Sequence, residues 1–253
     1  MGTGIAEATA RATIPVVLYE PDAAPLERSR ERLEASLRHA VKGGKLDATC
    51  AAALRERVSW TTDLDRLSGS DVVVEAIVED PQVKRAVFAQ LDALLPAHTL
   101  IASNTSSIPI AQLASAVQRP ERVLGLHFFS PVPVMKLVEV VVGVETAPAA
   151  VERGEHFALA IGKHPIRTKD RAGFVVNMLL VPYLMAAVRM YEEFRRPEYA
   201  PRRCSSGWSS PVTTAARRAA ASTSTRPRGR RWRRERSSRR SQSAAWRSGS
   251  RRS

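Results

Sequence analysis

The 253 residues carry 39 Lys and Arg against 25 Asp and Glu, a formal charge of +14 that taken alone would point to a nucleic-acid or membrane partner. Eighteen of those bases, all Arg, but only two of the acids, Glu198 and Glu235, lie from Arg195 onward, so that segment carries +16 and residues 1–194 carry −2. A basic fold is thereby excluded, and the two cysteines, Cys50 and Cys204, which sit in segments of unlike character without a CxxC, indicate neither a disulfide framework nor a zinc site.

In chain order, Met1-Gly2-Thr3-Gly4 is a glycine turn leading into a helix-like run. Ile14–Glu20 is a short β-branched run closed by Pro21-Asp22, the pattern of a buried strand and turn. Leu26, Leu33, Leu37 and Val41 recur at helical spacing through a charged segment that stops at Gly43-Gly44, a helix with a glycine exit. Near-continuous apolar runs at Asp71–Val78, Leu100–Ala102 and Val123–Phe129 are strand candidates, with an amphipathic helix expected over Val83–Leu95. Apolar strands alternating with helices predict an α/β protein with a parallel sheet covered on both faces. A long helix is expected over Phe174–Glu193, apolar on most of its surface and so intended for burial.

No signal peptide or membrane span is read: the most apolar stretch, Phe174–Val188, is short and holds Asn177 and Pro182. A soluble protein of the reducing cytoplasm is expected. From Arg195 the chain is Arg, Ser, Ala, Thr and Pro with hardly any Leu, Ile or Phe, too little apolar surface to offset its ordering entropy, so a disordered extension is expected. Its composition is what GC-rich DNA yields when translated out of frame, and the tail is read as a frameshift product. The alternative, an arm in which Arg neutralises phosphates and Trp232 or Trp246 stacks on bases, rests on no other feature and ranks below it.

The chemistry concentrates in one strand-rich region: Ser103-Asn104-Thr105-Ser106-Ser107, then Leu126-His127-Phe128-Phe129-Ser130-Pro131, then Lys136-Leu137-Val138-Glu139. An imidazole can take a proton from an alcohol near neutrality, a carboxylate on its far nitrogen fixes the tautomer, and a nearby hydroxyl or amide can hold a substrate oxygen. A lone histidine there would more often be a satisfied core residue; the full constellation favours chemistry.

These motifs, with Val74-Glu75-Ala76-Ile77-Val78-Glu79, Gly162-Lys163-His164-Pro165 and Ala172-Gly173-Phe174-Val175-Val176-Asn177, closely resemble the NAD-dependent L-3-hydroxyacyl-CoA dehydrogenases, in order over residues 1 to 193. The resemblance implies a Rossmann-like doubly wound sheet over residues 1–170 whose first strand is missing, the opening helix of an all-helical substrate and dimerisation domain at 171–194, and the tail at 195–253. It implies His127 as catalytic base, Glu139 as its orienting carboxylate, and Ser106 and Asn177 as substrate and cofactor hydrogen-bonding groups. Gly2 and Gly4 become remnants of the dinucleotide loop at a helix N-terminus. Glu20 falls where a carboxylate meets the adenosine ribose and would repel a 2′-phosphate, so NAD is expected rather than NADP.

Glu79 and Lys84 match positions near the nicotinamide ribose, although a solvated helix face is an equal reading of Lys84. Ser103 and Ser107 are expected to bond backbone in the turn after the strand. Ser36 and Lys42 lie in the helical excursion that meets CoA, on a looser match, since Gly43 stands where a lysine is usual. No metal is implied. The expected activity is oxidation of short-chain L-3-hydroxyacyl-CoA to 3-ketoacyl-CoA, with acyl-CoA as partner and a homodimer as the family's habit. The alternatives are an inactive fragment with residual nucleotide binding, nucleic-acid binding through the tail, and another β-hydroxyacid dehydrogenase of the same fold, which would use lysine as base.

Overall fold

A computed structural model describes residues 1–194; the segment from Arg195, including Cys204 and the two tryptophans weighed for stacking, lies outside the described residues. Two sheets form. The smaller pairs β1 (Val16–Tyr19) with β2 (Val58–Thr61) in parallel, joined through α2 (Ala23–Lys42) and α3 (Ala48–Glu56). The larger runs in the order β3 (Val72–Glu75), β4 (Leu100–Ser103), β5 (Val123–Phe128), β6 (Leu137–Val142), β7 (His164–Lys169). Helix α4 (Pro81–Leu94) connects β3 to β4, α5 (Ile110–Ala114) lies between β4 and β5, and α6 (Pro148–Ala160) connects β6 to β7. Helix α1 (Gly2–Arg11) opens the chain and α7 (Val176–Phe194) closes the described part.

The expected α/β class stands, with a parallel-dominated sheet of Rossmann-like character. One pairing departs from the all-parallel expectation: β5 and β6 run antiparallel. The loop between them holds no helix, and a parallel return needs a crossover of a dozen or more residues.

Alternation of side chains builds the core on both faces. Leu100, Ala102, Leu124, Leu126, Phe128, Val138 and Val140 meet Ile5 and Ala8 of α1 and Ala150, Val151 and Ala158 of α6. Val73, Ile101, Val123 and Val141 meet Phe88 and Leu91 of α4 and Ile110 and Leu113 of α5 on the other face. Among the residues of β5 and β6 outside the first cluster, Gly125 is opposed to Val141 and His127 to Glu139 in register. The two sheets do not pair with each other, yet α1 spans them: its Ile5 and Ala8 pack on the larger sheet, and its Ala6 and Ala10 pack with Leu18, Leu33, Leu37, Leu54 and Val58 around the smaller.

The start of the last helix is corrected. It starts at Val176 rather than Phe174, because Gly173 and Phe174 both take left-handed backbone, with φ of +78° and +51°, which no right-handed helix accommodates. Its apolar surface, of a kind intended for burial, is left open: Met178, Leu179, Leu180, Val181 and Tyr183 are exposed, because no element of the described residues covers them. No helix among the described residues is long and apolar enough to cross a membrane.

Candidate active site

The antiparallel register places His127 directly opposite Glu139 on neighbouring strands, so a pair twelve residues apart in sequence becomes a cross-strand pair. His127 Nδ1 lies 2.6 Å from Glu139 Oε2, and both residues are buried. Glu139 Oε1 accepts from the backbone N–H groups of Val175 and Val176 at 2.9 and 3.0 Å. Burial pushes the Glu139 carboxyl up, but the hydrogen bonds from His127, Val176 and Val175 outweigh it and hold the group below the ordinary carboxylate range. An ionised Glu139 calls for a proton on Nδ1, which leaves Nε2 as the free lone pair. The rings of Phe129 and Phe174 flank the imidazole, at centroid distances of 4.6 and 5.5 Å.

The serine loop sits beside it at the carboxyl end of β4. Asn104 Oδ1 accepts from Phe128 N–H at 2.9 Å, tying the loop to the strand that carries His127. Asn177 Nδ2 donates to the Ser106 carbonyl at 3.4 Å, so these two expected residues are brought together. Ser103 is fully buried and its hydroxyl bonds Glu75 at 2.7 Å while accepting from Thr105 N–H, in keeping with the structural part expected of it.

Glu79 gathers the loop. Its Oε1 accepts from Thr105 Oγ1 at 2.6 Å, from Ser106 N–H at 2.9 Å, and more distantly from the Ser107 amide and both the Ser106 and Ser107 hydroxyls. Partial burial raises the Glu79 carboxyl, and Thr105, the Ser106 amide and Lys84 together bring it to a net lowering. Lys84 is no solvated helix residue: it is 1% exposed, with its ammonium 2.7 Å from Glu75 and 3.2 Å from Glu79. Asp80 caps α4 through the N–H groups of Gln82 and Val83 with Pro81 at the first helical position, which starts the helix so that Lys84 turns inward. Glu75 escaped the sequence reading; the available signal was an acid closing an otherwise apolar strand.

The start of α1 carries Gly2 and Gly4, two of the residues expected at the cofactor. Gly2 abuts Ala76 just past β3, where an added Cβ would come within 3.8 Å of the alanine's own. Gly4 serves packing as well, since a Cβ there would meet Val132 at 3.1 Å. Glu20 follows β1 and accepts from Ser29 Oγ at 3.2 Å. A helix N-terminus at strand carboxyl ends, with a carboxylate after the neighbouring strand, fits a dinucleotide.

Of the two residues expected at CoA, Lys42 lines a cleft of about 300 Å³ between α2 and α3 with Arg38, Val41, Ala48, Ala51 and Arg55, whereas Ser36 does not line it. Arg38 and Arg55 were missed, because α3 carries too little apolar periodicity to be placed against α2 beforehand. Arg55 is paired with Glu34 at 2.7 Å, leaving Arg38 and Lys42 as the cleft's other cations. Among the described residues no group of three or more His, Cys, Asp or Glu is placed to hold a metal.

Residues 1–171 match the family model for the NAD-binding domain of 3-hydroxyacyl-CoA dehydrogenase. The chain belongs to the NAD-dependent 3-hydroxyacyl-CoA dehydrogenase family. A 3-hydroxybutyryl-CoA dehydrogenase of Mycobacterium tuberculosis is 48% identical over 194 residues, covering 76% of this chain and 68% of the relative. The mitochondrial hydroxyacyl-coenzyme A dehydrogenase of Homo sapiens is 46% identical over 200 residues, covering 76% of this chain and 63% of the relative. The crystal structure of M. tuberculosis FadB2 superposes with a TM-score of 0.76 at 47% identity over 78% of this chain and 70% of that one. That of the Escherichia coli 3-hydroxybutyryl-CoA dehydrogenase gives 0.73 at 44% identity, over 76% and 41%. Membership makes this chain an oxidoreductase by family, with NAD as its cofactor and oxidation of 3-hydroxyacyl-CoA as the family's reaction.

Proposed function

We propose that this chain's own residues carry NAD-dependent oxidation of a short-chain L-3-hydroxyacyl-CoA to the 3-ketoacyl-CoA, and the single observation that supports it most is the buried His127–Glu139 pair beside the serine loop. His127 Nε2 takes the proton of the 3-hydroxyl as C3 becomes a carbonyl carbon, and Glu139 stabilises the imidazolium that forms. Bound NAD supplies the acceptor for the hydride that leaves C3. Ser106 and Asn177 hold the C3 oxygen and the thioester end; the Ser106 hydroxyl spends only a long, 3.3 Å bond on Glu79 and can turn to a ligand.

Gly2 and Gly4 admit the pyrophosphate at the start of α1, Glu20 meets the adenosine ribose, and Glu79 lines the nicotinamide ribose with Lys84 buried behind it. Lys42 and Arg38 take the CoA phosphates; the basic lining of their cleft favours this, and Ser36 on the same helix is a lesser contact. The uncovered apolar face of α7 favours assembly as a homodimer, the family's habit. A short acyl chain is supported by the 3-hydroxybutyryl-CoA dehydrogenases among the relatives. The test is NADH formation by the purified 253-residue protein with L-3-hydroxybutyryl-CoA and its reversal with acetoacetyl-CoA. Activity that His127→Asn abolishes is expected; no NADH-linked turnover in either direction overturns the reading.

A further inference from the structure

The segment Gly173-Phe174-Val175-Val176 takes no part in the reaction as described, yet it touches the acid–base pair at three points. The N–H groups of Val175 and Val176 both donate to Glu139 Oε1, while Oε2 holds His127 Nδ1, so one buried carboxylate is shared between the imidazole and the start of α7. Those N–H groups belong to the helix end whose donors lack partners within the helix, and the helix dipole favours a negative charge there. The third contact is the ring of Phe174, 2% exposed and tilted 58° against the imidazole.

The backbone underlines the point. Phe174 has φ of +51°, a left-handed conformation that bulky residues adopt at a conformational cost, directly after Gly173 at +78°. These two residues reverse the chain so that the following amides face the sheet. A carboxylate bound only to an imidazole can swing about its broad terminal torsion; two donors on the other oxygen fix both oxygens at once.

We propose that Phe174, Val175 and Val176 are positioning residues for His127: the strained turn docks the start of α7 on Glu139, and the docked start holds the carboxylate, and through it the imidazole, in working orientation. This rests on the reading of His127 as the base, and it adds that the helix and the pair form one unit.

Val176→Pro is the sharpest cut, because the first residue of a helix tolerates proline while one donor to Glu139 disappears. Phe174→Leu removes the ring and keeps apolar bulk. In the 253-residue protein, the proton between His127 Nδ1 and Glu139 is followed as a low-field NMR resonance, identified by its loss in His127→Asn. Both substitutions are expected to shift or broaden it and to lower kcat roughly 10- to 100-fold with KM for NAD unchanged, the scale of a small misplacement of a reacting group. An unshifted resonance in folded Val176→Pro overturns the proposal.

Glu139→Gln tests the coupling from the other side: hydrogen exchange at the Val175 and Val176 amides is expected to quicken, and unchanged protection overturns the proposal equally. Should Val176→Pro fail to fold, Phe174→Leu and Glu139→Gln decide it by the same readouts. Absence of NAD reduction by the unaltered protein, with the resonance still moved by Val176→Pro, overturns the base assignment and supports the coupling.

Discussion

At His127 a single nitrogen separates catalysis from structure. With Nδ1 committed to an ionised Glu139, Nε2 is the proton acceptor in the proposed reaction, and on that proposal His127→Asn should lower kcat by roughly 10²- to 10⁴-fold, the usual scale for a general base, while NAD affinity stays nearly unchanged. Isothermal titration with NAD beside steady-state kinetics checks it; a loss of NAD binding equal to the loss of turnover would make His127 a structural residue. Lys84 presents the reverse case, a charge whose surroundings are structural. Its buried ammonium answers two carboxylates, and Lys84→Met should leave Glu75 buried without its cation, lowering stability by roughly 3–5 kcal/mol in urea unfolding. A loss under about 1 kcal/mol, the ceiling for an exposed pair, would show that Lys84 faces solvent in solution.

At the scale of the element, the contact between β5 and β6 depends on the absence of a side chain. A Cβ on Gly125 would fall 2.7 Å from Val141 Cβ across the strand pair and 3.0 Å from Ile110. Val141 cannot yield without shifting its strand, so Gly125→Ala should cost about 1–3 kcal/mol and disturb the His127–Glu139 register two residues on; an unchanged urea midpoint would refute it. Strands β1, β3, β4 and β5 were legible because each lies in a short, near-continuous apolar run. β2 and β7 were not, because polar residues interrupt them: β2 sets Ser59 and Thr61 around Trp60, and β7 carries His164, Pro165 and Arg167, which read as loop. The His127–Glu139 pair was legible only through long matched motifs, since spacing alone does not set an antiparallel register. Lys84 stayed ambiguous because its partner Glu75 comes near only when β3 and α4 pack, and Phe174 looked helical because nothing but the preceding glycine marks the turn.

Carboxylates that bridge elements add to the apolar clusters of the described molecule, and this sets its response to acid. Asp92, on α4, accepts from Arg122 at 2.7 Å and from the Gln118 amide at 2.8 Å, while Arg119 approaches to 3.4 Å, clamping α4 to the chain entering β5. Burial raises the Asp92 carboxyl, and Arg122, the Gln118 amide and Arg119 outweigh that, so its folded-state value lies below the ordinary one. Glu79 and Glu139 are depressed likewise. A depressed carboxyl contributes stability that is fully present above the unfolded values, about 3.9 for Asp and 4.3 for Glu, and is lost as pH falls through the folded value. The thermal midpoint should therefore hold through neutrality and drop once pH falls below about 4. Asp92→Asn should cost about 3 kcal/mol near neutrality, since it leaves Arg122 buried with only carbonyl partners. Its deficit against the unaltered protein should shrink as the pH is lowered, because the contribution it removes is one that acid removes as well. A deficit of equal size at about pH 7 and about pH 3 would show that the clamp's worth lies in shape rather than in the charge of Asp92.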